Sequence, residues 1–205
     1  THRPLNPKFI QNLVRIKMAA AITNRRAGEL DAAKAEAIVR ACNEILEGKL
    51  IDQFIVDAIQ GGAGTTANMT ANEVIANRAI EILGGTKGDY TIVHPNDHVN
   101  MAQSTNDVIP SAGKLTVLDL LPDLLHALES LHAALLDKSQ EFDHILKMGR
   151  TQLEDAVPMR LGQSFHAYAT MIERDIRRIE CARKELFTLL SLIHISEPTR
   201  LLSIS

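Results

Sequence analysis

Three short stretches carry hydroxyls and side-chain amides beside a glycine or an expected helix start. They are Gly62-Ala63-Gly64-Thr65, Gln103-Ser104-Thr105-Asn106-Asp107 and Gly149-Arg150-Thr151-Gln152. Their hydroxyls and amides are neutral hydrogen-bond donors, and the free N–H groups at a helix N-terminus add partial positive charge. Gathered together, such groups make a pocket for a small carboxylate that relies on dipoles more than on fixed charges. Taken singly, each stretch has a plainer explanation, because Ser, Thr and Asn at helix starts usually serve as caps.

Other chemistries fit poorly. The glycine-rich loop lacks the Gly-Lys-Ser/Thr ending of a phosphate loop and does not follow the dinucleotide-binding pattern. His94 and His98 are four apart, but Pro95 between them argues against a helix, and no third ligand accompanies them, so no metal site is expected. Cys42 and Cys181 are far apart in sequence and read as reduced, buried small hydrophobes.

The elements that position these stretches are helical. An apolar face at Ile10, Leu13, Val14, Ile16, Met18, Ala21 and Ile22 predicts a helix starting after Pro7 and broken at Asn24–Gly28. A second runs from about Asp31 to Gly48, with Ile38, Val39, Cys42, Ile45 and Leu46 inward. Thr70 and Glu73 read as a capping box opening a third, which stops at Gly84-Gly85. Thr91 to Met101 reads as irregular. Ser104 followed by Asp107 marks another start, for a long helix over Asp107–Asp143 striped by Leu115, Leu118, Leu121, Leu125, Leu128, Leu131 and Leu135. Pro122 should kink or interrupt it. Lys147–Pro158 reads as a loop, with Pro158 opening a second long helix of about 30 residues. Its stripe is Leu161, Phe165, Tyr168, Ile172, Ile179, Leu186 and Leu190. Two such rods predict part of an elongated antiparallel bundle, too apolar along its stripes to stand alone in water.

The chain has 205 residues, with 22 Lys+Arg against 25 Asp+Glu, so its net charge of −3 gives no basic field for nucleic acid. Aromatic residues are 3% with no Trp, which removes a stacking platform for single strands. No apolar run spans a bilayer and the N-terminus shows no signal peptide, so a soluble cytoplasmic protein is expected.

Four strings are more specific than any periodicity: Gly62–Val74 (Gly-Ala-Gly-Thr-Thr-Ala-Asn-Met-Thr-Ala-Asn-Glu-Val), His94–Asn100 (His-Pro-Asn-Asp-His-Val-Asn), Gln103–Asp107, and Lys147–Pro158 (Lys-Met-Gly-Arg-Thr-Gln-Leu-Glu-Asp-Ala-Val-Pro). In this order they closely resemble the aspartase/fumarase superfamily, over nearly the whole chain to about Ser191. Within it, Ala63-Gly64-Thr65 and Thr151-Gln152 are the aspartate ammonia-lyase choices, where class II fumarases typically carry Ser-Gly-Thr and Thr-His. His94 before Pro95-Asn96-Asp97 points the other way, towards fumarases.

The resemblance implies an all-α fold: a partial N-terminal lyase domain over residues 1–102, the first two long helices of the central bundle over 103–191, and a tail. It implies reversible elimination of ammonia from L-aspartate to give fumarate, through an aci-carboxylate, without a cofactor. Thr65, Ser104 and Thr105 would hold the β-carboxylate, Asn106 and Gln152 the amino group, and Thr151 the α-carboxylate, with Thr105 and Gln152 closest to the chemistry. His94, Asn96 and Asp97 would form a second anion site. The family is homotetrameric, and each active site draws on three subunits.

The family's general base, a serine on a Gly-Ser-Ser…Pro-Gly-Lys loop, is absent, as are the Lys and Asn just beyond it. Residues 192–205 depart from the family pattern and are expected to be a non-native tail, and the start of the N-terminal domain is expected to be missing. The isolated chain should therefore be inactive. A class II fumarate hydratase acting on malate and fumarate is the alternative in the same fold. A non-catalytic helical oligomerisation module is the alternative of a different kind.

Overall fold

The computed structural model describes residues 3–59 and 61–189. Leu190 and the tail expected to be non-native lie outside them. The chain divides into two compact units, one running to Val117 and the other covering Leu118–Thr188.

The first unit is a cluster of helices. Helix α1 spans Pro7–Ala27, starting on an Asn6 side chain that accepts the Lys8 N–H, with Pro7 in the first turn. Gly28, at φ 80°, ends it in the left-handed region, and its N–H returns to the Arg25 carbonyl. Helix α2 spans Ala32–Leu46, capped by Asp31 accepting from Ala33 and Lys34. Helix α3 spans Thr65–Ile82. Ile10, Leu13 and Val14 of α1, Ile38, Cys42 and Ile45 of α2, and Ile75, Ala76, Ala79 and Ile80 of α3 form the core. The alanines let the helix backbones approach closely. Arg78 of α3 also grips Glu44 of α2 through two nitrogens, Nε to Oε2 at 2.6 Å and Nη2 to Oε1 at 3.0 Å, which holds the Glu44 carboxyl below its usual range.

Two local expectations for this unit are corrected, and a third that reaches into the second. Thr70 is not a cap: α3 begins at Thr65, more than a turn earlier, because Gly64 takes the left-handed conformation (φ 85°) and launches it. Thr70 and Glu73 are then interior residues. Pro95–Val99 forms a single π-helical turn, with Pro95 at a first-turn position where its missing N–H costs nothing. Cys42 is buried as expected, but Cys181, in the second unit, is exposed.

Helix α4, Thr105–Glu141, starts beside Ser104, whose Oγ accepts the Asn106 N–H at 3.3 Å. It runs through Pro122 without interruption, against expectation. A mid-helix proline costs about 3 kcal/mol; here the neighbouring Leu121 is buried and the helix continues on both sides. The first turns of α4 belong to the first unit, where Val108 and Ala112 join its core and Asn12 of α1 donates to Thr116 at 3.2 Å.

In the second unit, Lys147–Pro158 is not a loop but most of an antiparallel hairpin, β1 (Leu146–Thr151) and β2 (Glu154–Arg160). Pro158 sits in β2 opposite Met148 and does not open a helix. In a two-stranded hairpin each strand has a free edge, so a residue lacking an N–H is tolerated. Helix α5 instead spans Leu161–Glu185, with the Gln163 side chain accepting the Arg160 N–H at 2.8 Å. Gly162 lies against the Ser139 carbonyl with no room for a Cβ, and Phe142 meets Phe165 at 5.3 Å, which fixes the junction of α4 and α5. The fold is thus mostly helical, with one small two-stranded sheet.

Candidate active site

Two of the three donor-rich stretches meet in the first unit. Thr65 and Thr105 are the first residues of α3 and α4. Asn68, one turn along α3, donates through Nδ2 to Thr105 Oγ1 at 3.1 Å. A Cβ on Gly64 would lie 2.8 Å from Ile109 on α4, so the N-terminal turns of the two helices abut. The N-terminal ends of both helices, with their partial positive charge, therefore lie side by side. Thr65 Oγ1 donates to the Gly62 carbonyl at 2.9 Å and is exposed. Ser104 and Thr105 are half-buried, and Asn106 is exposed. Where one helix start gives one donor cluster, this junction gives Thr65, Ser104, Thr105 and Asn106 together.

The third stretch lies in the second unit. Thr151 ends β1 and pairs with Glu154, so Gln152 and Leu153 form the two-residue turn. Both have positive φ, 48° and 69°. That sense matches the twist of a hairpin, but residues other than Gly and Asn adopt it at a cost. Gln152 stands exposed at the tip, and Leu153 is 93% exposed.

The His94–Asn100 segment packs beside the helix starts. His94 Nδ1 accepts the N–H groups of Asn96 and Asp97, at 3.2 and 3.1 Å, so the histidine caps the π-turn. The His94 N–H donates to His98 Nδ1 at 2.8 Å, and His98 Nε2 lies 3.2 Å from Lys34 Nζ. Burial and the Lys34 charge both push the His98 pKa down. Among the described residues no group of three or more His, Cys, Asp or Glu side chains is placed to hold a metal ion.

Behind the helix starts lies a buried polar cluster. Lys17 of α1 is wholly buried and donates through Nζ to Asn100 Oδ1 at 2.7 Å. Asn68 donates to the same oxygen at 3.3 Å, and Asn100 Nδ2 donates to the Gln103 carbonyl at 3.1 Å. Burial lowers the Lys17 pKa to about 7 and raises that of Cys42 to about 12, each opposed by the partner's charge. Sequence reasoning missed Lys17, Asn68 and Asn100 as site components. The one available signal was Lys17 itself, a cation inside the apolar stripe of α1.

A sequence profile described as lyase matches residues 2–192. The match covers most of the chain, which therefore belongs to the lyase family. The aspartate ammonia-lyase of Bacillus subtilis is 54% identical over 183 residues, 89% of this chain and 38% of the relative. The class II fumarate hydratase of Halobacterium salinarum is 51% identical over 180 residues, 87% of this chain and 38% of the relative. Among solved structures, the fumarate lyase:delta crystallin from Brucella melitensis superposes with a TM-score of 0.83 at 47% identity, covering 92% of this chain and 44% of that one. The chain thus spans about 38% of the length of the curated relatives it matches.

Proposed function

We propose that the chain contributes the anion-holding half of an aspartate ammonia-lyase site, which eliminates ammonia from L-aspartate to give fumarate. The observation that carries this reading is the abutment of the α3 and α4 N-termini through Asn68 and Thr105. A Cβ–H beside a carboxylate is very weakly acidic. Removing it places a second negative charge on that carboxylate, so the site must stabilise charge that appears only in the transition state. Two adjoining helix N-termini and the Thr105 hydroxyl meet that need, and the Thr65 hydroxyl joins them by turning from the Gly62 carbonyl to the substrate. The Cβ proton leaves to a base outside this chain, the Cα–N bond breaks, and ammonia departs as the double bond forms.

In this reading Thr65, Ser104 and Thr105 hold the β-carboxylate, Asn106 and Gln152 the amino group, and Thr151 the α-carboxylate. Gln152 accepts a hydrogen bond from the substrate ammonium and does not titrate near neutral pH. Thr151 and Gln152 reach the pocket from another copy of the chain in a homotetramer with shared sites, in the cytoplasm. His94, Asn96 and Asp97 form a second anion subsite, in which the His94 imidazole supplies the donor because the two backbone N–H groups already serve it.

The fumarate hydratase reading is kept for one reason, the His94-Pro95-Asn96-Asp97 string together with the Halobacterium relative. A test separates the two. Replacing the matching 183 residues of the Bacillus subtilis enzyme with those of this chain should give a protein that forms fumarate from aspartate and not from malate. Turnover of malate in preference would favour the hydratase. The 205-residue chain alone should show no turnover, and robust activity there would overturn the assignment of the base to sequence outside it.

A further inference from the structure

We propose that Lys17, acting through Asn100 and Asn68, fixes the direction of the Thr105 hydroxyl and so makes Thr105 a hydrogen-bond donor to the substrate carboxylate. Lys17, Asn100 and Asn68 are positioning residues for the site, and the proposal rests on the functional reading above.

The relay follows from what each group can and cannot do. An ammonium has hydrogens and no lone pair, so the Lys17 Nζ must meet an acceptor, and it meets Asn100 Oδ1 at 2.7 Å. Asn100 is locked a second time from its other end. Its Nδ2 faces the Gln103 carbonyl at 3.1 Å, which can only accept. The orientation of the Asn100 amide is therefore determined from both sides.

That orientation determines the next. With its oxygen turned to Lys17, Asn100 can only accept from Asn68, and Asn68 presents Nδ2 at 3.3 Å. The second Nδ2 hydrogen of Asn68 then falls on Thr105 Oγ1 at 3.1 Å. A threonine hydroxyl has one proton. Since its oxygen accepts from Asn68, the proton is left to give, and no acceptor for it is found among the described residues. At the first position of a helix, with N–H groups beside it, that proton points a donor at an anion.

The opposite orientation would reverse the site. A flipped Asn68 would set its oxygen against Asn100 Oδ1 and take the Thr105 proton for itself, leaving a lone pair towards the substrate carboxylate. The observed orientation has its own cost: Asn68 is 1% exposed and its Oδ1 is buried with no partner. An orphaned oxygen is what a network shows when its polarity is imposed from one end. Lys17 is the only charged member of this network and is itself fully buried, at 0% exposure. A neutral lysine amine still donates but could also accept; in that state the Gln103 carbonyl, which can only accept from Asn100 Nδ2, keeps the direction.

Two measurements test this. In the 205-residue chain labelled with nitrogen-15, the Asn68 side-chain amide should be slow to exchange with solvent. Lys17→Met should speed that exchange at least about tenfold while the backbone amides of α1 and α3 keep their protection. An unchanged Asn68 amide in Lys17→Met would overturn the relay. In the chimera described above, the isosteric Asn68→Asp, which turns the donor into an acceptor, should lower kcat/KM by about 100-fold, and Asn68→Ala by only about tenfold. Asn68→Asp should add less than about threefold in a Thr105→Ala background, since the residue acts through that hydroxyl. A merely structural Asn68 predicts the reverse order, with the truncation worse than the isostere, or effects independent of Thr105; either result would overturn the proposal. A chimera inactive with its native residues would count against the functional reading alone, and the Asn68 amide would then decide the relay by itself.

Discussion

Among the described residues, Lys17 and Cys42 are buried groups whose ionisation is tied to folding. A folded Lys17 titrating at about 7 in place of 10.5 means that the unfolded chain binds more protons between those values, so stability rises with pH across them. Cys42 works the other way. Its thiol stays protonated in the fold to about 12 against an ordinary 9.0, so the folded chain holds the extra proton and stability falls over that range. The two together predict a rise from pH 7 to 9, near-cancellation up to about 10.5, and a fall beyond. Urea denaturation at a series of pH values checks this. Lys17→Met should flatten the rise between pH 7 and 9, and an unchanged rise in that variant would assign the effect to another group.

At the scale of elements, the hairpin tip is the strained one. Gln152 and Leu153 both occupy the left-handed region, where a residue with a Cβ is disfavoured by roughly 1–2 kcal/mol. Leu153→Gly removes that penalty and should stabilise the hairpin by about 1 kcal/mol, seen as slower amide exchange in β1 and β2. Slower exchange would be absent if neighbouring contacts, not the turn, hold the strands. The same turn explains why this hairpin was illegible in the sequence: without Asn-Gly or Asp-Gly, a stretch with Gly149 and Pro158 reads as a loop. Helix boundaries that depend on local capping were readable at Asp31 and Ser104. The start of α3 was not, because the Thr70–Glu73 pair has the capping spacing while the true signal is the positive φ of Gly64. The donors of the candidate site were legible as types. Of their supports only Lys17, a cation inside an apolar stripe, left a mark, and that mark says nothing of a network that joins α1, α3 and the 94–103 segment.

For the molecule as a whole, the large exposed apolar residues of the second unit matter most. Leu120, Leu124 and Leu131 of α4 are 40%, 48% and 46% exposed, and on α5 Tyr168 and Met171 are also exposed. Apolar stripes of this kind on long helices need cover, and further copies of the chain supply it under the proposed assembly. Leu124→Lys with Leu131→Lys should reduce the mass measured by light scattering while helical circular dichroism is kept. An unchanged mass would show that association, if present, uses another face. Among the described residues no helix is long and apolar enough to cross a membrane.

The left-handed tip has one more implication, for how such a protein drifts between chemistries. Histidine, with asparagine and aspartate, is among the side chains best tolerated at positive φ, so Gln152 can give way to it without remodelling the turn. The codons for the two residues differ only in their third base. Under the proposed role of Gln152, a lineage could trade an ammonia-handling residue for a water-handling one by a single point mutation, and divergence between the two activities would be limited by selection and not by architecture.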